Sequence, residues 1–311
     1  MFEAVPKAVF STLAASQSLK HAATRYGMRR ADSFARRFVA GETVAEAIDA
    51  ARALESHGLT VTLDLLGESV ASTEAAADAT RAYVAAIEAI DRGDVSRNIS
   101  LKLTQLGLGI DRATSVDNLR RVLDAAVCRR FFVRIDMESS AFTAQTLETL
   151  ETTWAIGYRN MGVVLQSYLR RSMDDAQRMV ALGVPVRLVK GAYREPRAVA
   201  FQRKAEVDAA YVSLMEVLMC DGAGPAIATH DPAMISATRE FAAMHGIDKD
   251  RFEFQMLYGI RRDLQARLLA DGYRVRVYVP YGREWFPYFM RRLGERPANA
   301  AFVFRSLMRE R

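Results

Sequence analysis

The feature that most constrains this chain is a rhythm. Eight short runs rich in Val, Ile, Leu and Phe recur between residues 59 and 280, each followed by a stretch long enough for a helix. The runs are LTVTLDLLG (59–67), NISLKLTQL (98–106), FFVRIDME (131–138), MGVVLQSYL (161–169), PVRLVKG (185–191), AIATHD (226–231), FEFQM (252–256) and YRVRVYVP (273–280). Near-continuous apolar character is expected of parallel strands buried on both faces. Eight strand–helix units predict an α/β fold, a (β/α)8 barrel rather than an open sheet.

Local signals mark some of the helices. Thr43-Val-Ala-Glu46 has the spacing of a capping box and opens an Ala-rich helix that Gly58 stops. Asp231-Pro232 sets an N-cap Asp before a Pro at the first helical position. Over 115–128, Val116, Leu119, Val122 and Leu123 fall on one side. A dinucleotide-binding domain needs GxGxxG after its first strand. Here that strand ends Leu66-Gly67-Glu68-Ser69, and the nearest approach, Gly107-Leu-Gly109, lacks the third glycine. No Pro/Gly-rich linker divides the chain, so two regions are expected: a helical arm over 1–58 and the barrel over 59–311.

Half of the 311 residues are hydrophobic, enough for a large core. Cys128 and Cys220 lie in apolar helical contexts without CxxC spacing, which argues against a disulfide framework or a metal site. A reducing cytoplasm is the simplest setting. Ala8–Leu19 is uncharged but short, and no basic stretch precedes it, so neither a signal peptide nor a membrane span is expected. The net charge is +6, with Arg25, Arg29, Arg30, Arg36 and Arg37 clustered early. The cluster lacks the interleaved aromatics of a nucleic-acid platform and reads as a solvated helix face.

The chemistry collects where the strands end. In a barrel of this kind the active site lies at the C-terminal ends of the strands. Reading those ends gives Lys102, Asp136, Gln166, Arg187, Thr229 with His230, Gln255 and Tyr278. Each has a structural alternative: Lys102 snorkels, or Asp136 pairs with Arg134. Together they form a polar mouth on an apolar barrel, the expected form of a ligand site. RLVKGAY (187–193) is the most pointed string. A buried Arg187 needs an anionic or polar partner, and Gly191-Ala192 lets a flat ligand approach the backbone.

The last helix, within GREWFPYFMRRLGE (282–295), carries an apolar stripe of Trp285, Phe286, Phe289, Met290 and Leu293. Arg291 and Arg292 sit beside it, with Glu295 one turn on. The pair reads either as decoration of a helix C-terminus or as a guanidinium clamp for a carboxylate, oriented by Glu295. Periodicity leaves both open. So does the enzyme class: Lys190 at the end of strand five would suit a Schiff-base aldolase. A basic nucleic-acid- or membrane-binding protein is the non-enzymatic alternative.

Nine strings in order, DLLGE (64–68), SLKL (100–103), RIDME (134–138), VVLQSYL (163–169), VRLVKGAYRE (186–195), ATHD (228–231), EFQMLYG (253–259), YVPYG (278–282) and RRLGERPAN (291–299), make the chain resemble the proline dehydrogenase family. The likeness spans nearly the whole barrel and little of the arm. It implies a distorted (β/α)8 barrel of TIM type holding FAD non-covalently. The implied reaction is oxidation of L-proline to Δ1-pyrroline-5-carboxylate by hydride transfer, with electrons passing to a quinone-type acceptor.

By motif, the resemblance makes Arg187 and Asp136 the catalytic residues, with Arg187 at the flavin N5 edge and Asp136 beneath the substrate. It assigns Met137, Gln166, Val189, Lys190, Gly191, Ala192, Tyr193, Thr229, His230 and Gln255 to the cofactor. Lys102, Tyr278, Arg291, Arg292 and Glu295 fall to the substrate, and no metal is implied. The chain has Arg194 where bifunctional members carry an aromatic residue, and its segment from Tyr278 to Arg291 is shorter, as in the monofunctional branch. A separate pyrroline-5-carboxylate dehydrogenase would take the next step. The setting implied is cytoplasmic, at the inner face of a membrane, with no nucleic-acid partner.

Overall fold

The computed structural model describes residues 33–295. It contains a closed barrel of eight parallel strands in sequence order. After a 3-10 turn at Phe34–Arg37 come α1 (Val44–Glu55), β1 (Thr60–Leu65), α2 (Thr73–Gly93), β2 (Asn98–Leu101), α3 (Arg112–Cys128) and β3 (Phe132–Ile135). The chain continues through α4 (Ser140–Ala155), β4 (Met161–Gln166), α5 (Ser172–Leu182), β5 (Val186–Val189), α6 (Lys204–Asp221) and β6 (Ala226–Ala228). It ends with α7 (Pro232–Met244), β7 (Glu253–Leu257), α8 (Arg262–Ala270), β8 (Val275–Tyr281) and α9 (Trp285–Glu295).

Two start signals take the expected form. Thr43 Oγ1 accepts from the Glu46 amide while the Glu46 carboxylate accepts from the Thr43 amide, satisfying two orphan donors of α1 at once. Asp231 accepts from the Ala233 amide with Pro232 at the first turn of α7. Most strands stop short of the apolar runs seen in the sequence. Lys102, Met137, Lys190, Gly191, Thr229 and His230 all lie beyond the last paired residue. Ladder pairing ends where the barrel opens, so these positions sit on loops at its mouth.

Strand alternation sorts the side chains into two environments. Val61, Leu63, Ile99, Leu101, Val133, Ile135, Leu165, Leu188, Val277 and Val279 pack outward into the main core under the helices. The alternate residues, among them Asp64, Ser100, Arg134, Asp136, Gln166, Arg187, Glu253, Arg276 and Tyr278, point into the lumen. This corrects the picture of an apolar barrel with a polar rim: polarity runs through the interior. Arg276 pairs with Glu253 at 2.8 Å and donates to the Val61 carbonyl at 2.7 Å. Arg134 donates to the carbonyls of Val163 and Pro185, not to Asp136. Gly162 makes room for it, since a Cβ there would come within 2.6 Å of Arg134 Nη1.

The helices also depart from an ideal barrel. α1 packs outside on both β8 and β1, in the slot the eighth helix of a regular barrel would fill. α9 lies over the strand ends instead. Its Trp285, Phe286, Phe289 and Met290 bury a second, smaller core with Ala35, Phe38, Val39 and Leu66. Trp285 Nε1 donates to Glu42 at 3.1 Å. Arg36, expected on a solvated face, is tied to Glu46 at 2.5 Å. Residues 1–32, including Arg25, Arg29 and Arg30, lie outside the described residues.

Candidate active site

A cavity of about 740 Å³ opens at the C-terminal end of the barrel, within the range of small-molecule and cofactor sites. Every site residue nominated from the sequence lines it, except Glu295, whose side chain lies outside the described residues, as does that of Leu293. Strands β4 to β8 and the segments just past β2, β3, β5 and β6 supply the wall and α9 the roof, so residues far apart in sequence converge because the barrel closes. A smaller cavity of about 340 Å³ adjoins it and shares Lys102, Tyr288 and Arg291.

Asp136 is the hub of the wall. It accepts from Arg187 Nη1 at 2.9 Å, from the Tyr278 hydroxyl at 2.7 Å and from Ser100 Oγ at 3.2 Å. The Arg187 guanidinium also lies over the Tyr278 ring, 5.2 Å from its centroid. Lys102 Nζ stands 3.9 Å from Asp136 and 3.7 Å from Asp64. Burial works against the ammonium, but Asp64 and then Asp136 outweigh it and hold Lys102 above the usual amine range.

The roof carries the arginines. Arg291 reaches Glu68 on the loop after β1 at 2.8 Å, and Arg292 stacks over the Tyr288 ring at 5.2 Å. Glu68 was invisible as a partner in the sequence, because 223 residues separate the two. The same loop is anchored from β3's end: Glu138 accepts from the Thr104 amide and hydroxyl, and Thr104 Oγ1 accepts from the Ser69 amide.

The β5 side is equally built. Lys190 Nζ is held by Asp208 and Asp231 at 2.5 and 2.6 Å. An ammonium clamped between two carboxylates is not a free amine, so the Schiff-base reading loses its nucleophile. Gly191 has φ +110°, and a Cβ there would sit 2.3 Å from the Tyr168 ring. His230 Nε2 accepts the Leu257 amide at 2.9 Å, which fixes its ring. Burial and the charge of Glu68 push Tyr193 up to about 12, so its hydroxyl keeps its proton.

Two residues that line this cavity, Arg187 and Gln166, carry buried polar atoms without a hydrogen-bond partner. Arg187 Nε and Nη2 and Gln166 Oε1 have none, although both side chains are at least 96% buried. Unsatisfied groups so deep are costly unless a ligand completes them. A flat ring with hydrogen-bonding edges fits: donors from Arg187, an acceptor from Gln166, and a backbone without side-chain bulk at Gly191.

The proline dehydrogenase family model matches residues 47–305. The chain belongs to the proline dehydrogenase family. Proline dehydrogenase 1 of Bacillus subtilis (strain 168) is 41% identical over 97% of this chain and 99% of its own length. Proline dehydrogenase of Deinococcus radiodurans is 43% identical over 89% of this chain and 91% of its own. The bifunctional protein PutA of Escherichia coli (strain K12) is 28% identical, aligning with 24% of that longer protein. Among solved structures, proline utilization A from Bdellovibrio bacteriovorus inactivated by N-propargylglycine superposes with a TM-score of 0.79 at 25% identity, covering 92% of this chain and 37% of that one. The chain is thus an oxidoreductase with a TIM-type barrel, and the family's members are flavoenzymes.

Proposed function

We propose that the protein oxidises L-proline to Δ1-pyrroline-5-carboxylate, the first step of proline catabolism, with non-covalently bound FAD. The observation that carries this is the pairing of unsatisfied Arg187 and Gln166 with a cluster of cations, Lys102, Arg291 and Arg292, in one cavity. Gln166, Arg187, Lys190, Gly191, Thr229 and His230 would hold the flavin, with Met137, Val189, Ala192, Tyr193 and Gln255 lining its bed. When bound, FAD supplies the two-electron acceptor at N5.

The residues then divide the work. Lys102, Arg291 and Arg292 draw in the substrate carboxylate, since a dense positive site suits a single carboxylate. Anchoring it holds C5 in place, and positioning of this kind contributes several kcal/mol to a barrier. In the reaction the C5–H bond breaks with its electron pair, nitrogen gives up a proton, and a C5=N bond forms. Arg187, with two donors unused by protein, offers positive charge where negative charge accumulates. Asp136 fixes Arg187 and Tyr278 in register. Tyr278 supplies a ring face against the pyrrolidine carbons.

The electron acceptor in this reading is a quinone, the product passes to a separate pyrroline-5-carboxylate dehydrogenase, and the enzyme works in the cytoplasm at the inner face of the membrane. No helix among the described residues is long and apolar enough to cross a membrane. The test is anaerobic addition of L-proline to purified protein. Bleaching of a flavin spectrum, with stoichiometric pyrroline trapped by an aminobenzaldehyde and turnover with a quinone analogue exceeding that with oxygen, is the expected result. A colourless protein with no proline-dependent change refutes it.

A further inference from the structure

One buried acid in the lumen has no part in the reaction as described. Asp64, on β1, is 0% exposed, and neither carboxylate oxygen has a hydrogen-bond partner. Its nearest cation is the Lys102 ammonium on the neighbouring strand end, at 3.7 Å. β1 and β2 are paired through Leu63↔Ile99 and Asp64↔Ser100. That register aims Asp64 and Lys102 into the same sector of the lumen.

We propose that Asp64 is a positioning residue that keeps Lys102 charged and directed toward the substrate carboxylate. The inference rests on the reading of Lys102 as a carboxylate-binding residue. A lysine in a site this dry has a choice. Without a counter-charge, burial favours the neutral amine, which attracts a carboxylate weakly. With a fully buried carboxylate beside it that is not part of the cavity lining, the ammonium is retained and its donors stay available to a ligand. The distance fits this division of labour. At 3.7 Å the two charges attract but are not locked in a short hydrogen bond, so Lys102 is not consumed by its partner.

Other groups face the same ammonium: Asp136 just past β3, Glu138 two residues on, Glu68 from the loop after β1, and Tyr193 from the loop after β5. Arg291 from α9 shares the cavity, and Tyr278 from β8 and Arg187 from β5 meet Asp136. Asp136 already spends its oxygens on Arg187, Tyr278 and Ser100, and Glu68 is engaged by Arg291. Asp64 is the acid of this group without a hydrogen-bond partner of normal geometry: Tyr278 and Arg187 also act on it, but the Tyr278 hydroxyl is given to Asp136 at 2.7 Å. Burial raises its own carboxyl above the ordinary range while Lys102 opposes the shift, and it is the leading positive influence on Lys102.

The test is a double-mutant cycle of Asp64→Asn and Lys102→Met, read as kcat and KM for L-proline from pH 6 to pH 10, with flavin content and thermal midpoint recorded alongside. Asp64→Asn should raise KM about tenfold with kcat changed less than threefold. It should also bring an alkaline fall of kcat/KM into the measured range that the wild type, with its ammonium held above the ordinary amine value, does not show from Lys102, since each unit of pKa is a tenfold change in the charged fraction. In the Lys102→Met background the same Asn substitution should change kcat/KM less than twofold, with no shift of the profile. If Asp64→Asn keeps its full effect without Lys102, Asp64 does not act through the lysine and the proposal falls while the substrate site stands. If Lys102→Met itself leaves KM unchanged, the carboxylate reading of Lys102 falls and takes the proposal with it. Should the Asn variant not accumulate, Asp64→Ser, a smaller side chain, runs the same cycle, and the same two results would overturn the proposal.

Discussion

Arg187 on β5 meets Asp136, the residue after β3, at 2.9 Å across a lumen in which β4 lies between them. The contact leaves Nε and Nη2 of the guanidinium without protein partners. Half of a buried fork is thus satisfied by the protein and half is reserved. Replacing Arg187 with Ala should leave the barrel folded and slow proline-dependent flavin reduction by about 10²–10³-fold, the usual cost of removing a donor aimed at developing charge. Stopped-flow bleaching is the measurement, and an unchanged rate removes Arg187 from the chemistry.

Arg291 and Arg292 form the roof of the same cavity. Arg291→Ala and Arg292→Ala should each raise KM for proline strongly while flavin stays bound. Truncating one arm of a partly buried charge cluster costs about 2–5 kcal/mol of binding. Arg291→Ala should have a second effect, because it also strands Glu68, to which it is paired at 2.8 Å. Wild-type KM in both variants would show the arginines to be decoration of a helix end.

Tyr278 holds its ring under the Arg187 guanidinium and its hydroxyl on Asp136. A ring so fixed leaves little space for an added hydroxyl at substrate C4, and a desolvated hydroxyl without a partner is rejected by roughly 10–100-fold. The wild type should therefore prefer L-proline to trans-4-hydroxy-L-proline, and Tyr278→Ser should relax the preference. The ratio of kcat/KM values for the two substrates decides it; a ratio that does not move places Tyr278 away from the substrate.

Gly191 combines a left-handed φ of +110° with a Cβ position 2.3 Å from the Tyr168 ring. An alanine there must strain the backbone, at about 1–3 kcal/mol, and push the loop off the tyrosine. Gly191→Ala should lower the flavin bound per chain several-fold in absorbance measurements and reduce the thermal midpoint. Full flavin content at an unchanged midpoint would show that neither constraint matters.

Asp231 gives a pH prediction. Burial alone would raise its carboxyl, but the Lys190 bond and the Ala233 amide override that and hold it at about 2, below the ordinary value of 3.8. A depressed carboxyl stabilises the fold above its unfolded pKa, and the contribution is lost as pH falls through the folded one. Asp231→Asn keeps the N-cap and removes the charge. Urea midpoints should separate wild type from Asp231→Asn fully above about pH 4 and converge toward pH 2. A gap that stays constant down to pH 2.5 would mean that the carboxylate charge is not the source.

The strand rhythm was legible because buried parallel strands need Val, Ile and Leu in short blocks, and the capping signals at Thr43 and Asp231 were legible because both are local. The cavity lining followed from the motifs of a recognisable family together with the rule that barrel sites gather at strand ends. Two kinds of fact were not legible. Asp64 sits inside an apolar run, where one polar letter does not reveal which neighbour it faces. Glu68 and Arg291 lie too far apart in sequence for any spacing rule to join them. The exchange of roles between α1 and α9 was hidden for the same reason: which helix covers the β8–β1 edge is decided by packing after the barrel closes.

That edge also bears on the order of folding. Arg276 on β8 hydrogen-bonds Val61 on β1 across 215 residues of chain, and the Ala40 amide donates to the Pro280 carbonyl on the same strand. A growing chain emerges from the ribosome with α1 ahead of the barrel, yet part of the surface that α1 rests on, the β8 strand, is not synthesised until long afterwards. A helix made so early is therefore among the last to find its seat. Contacts this distant in sequence are slow to form, so the nascent barrel carries an unsealed seam, with α1 unable to dock fully, until β8 has been made.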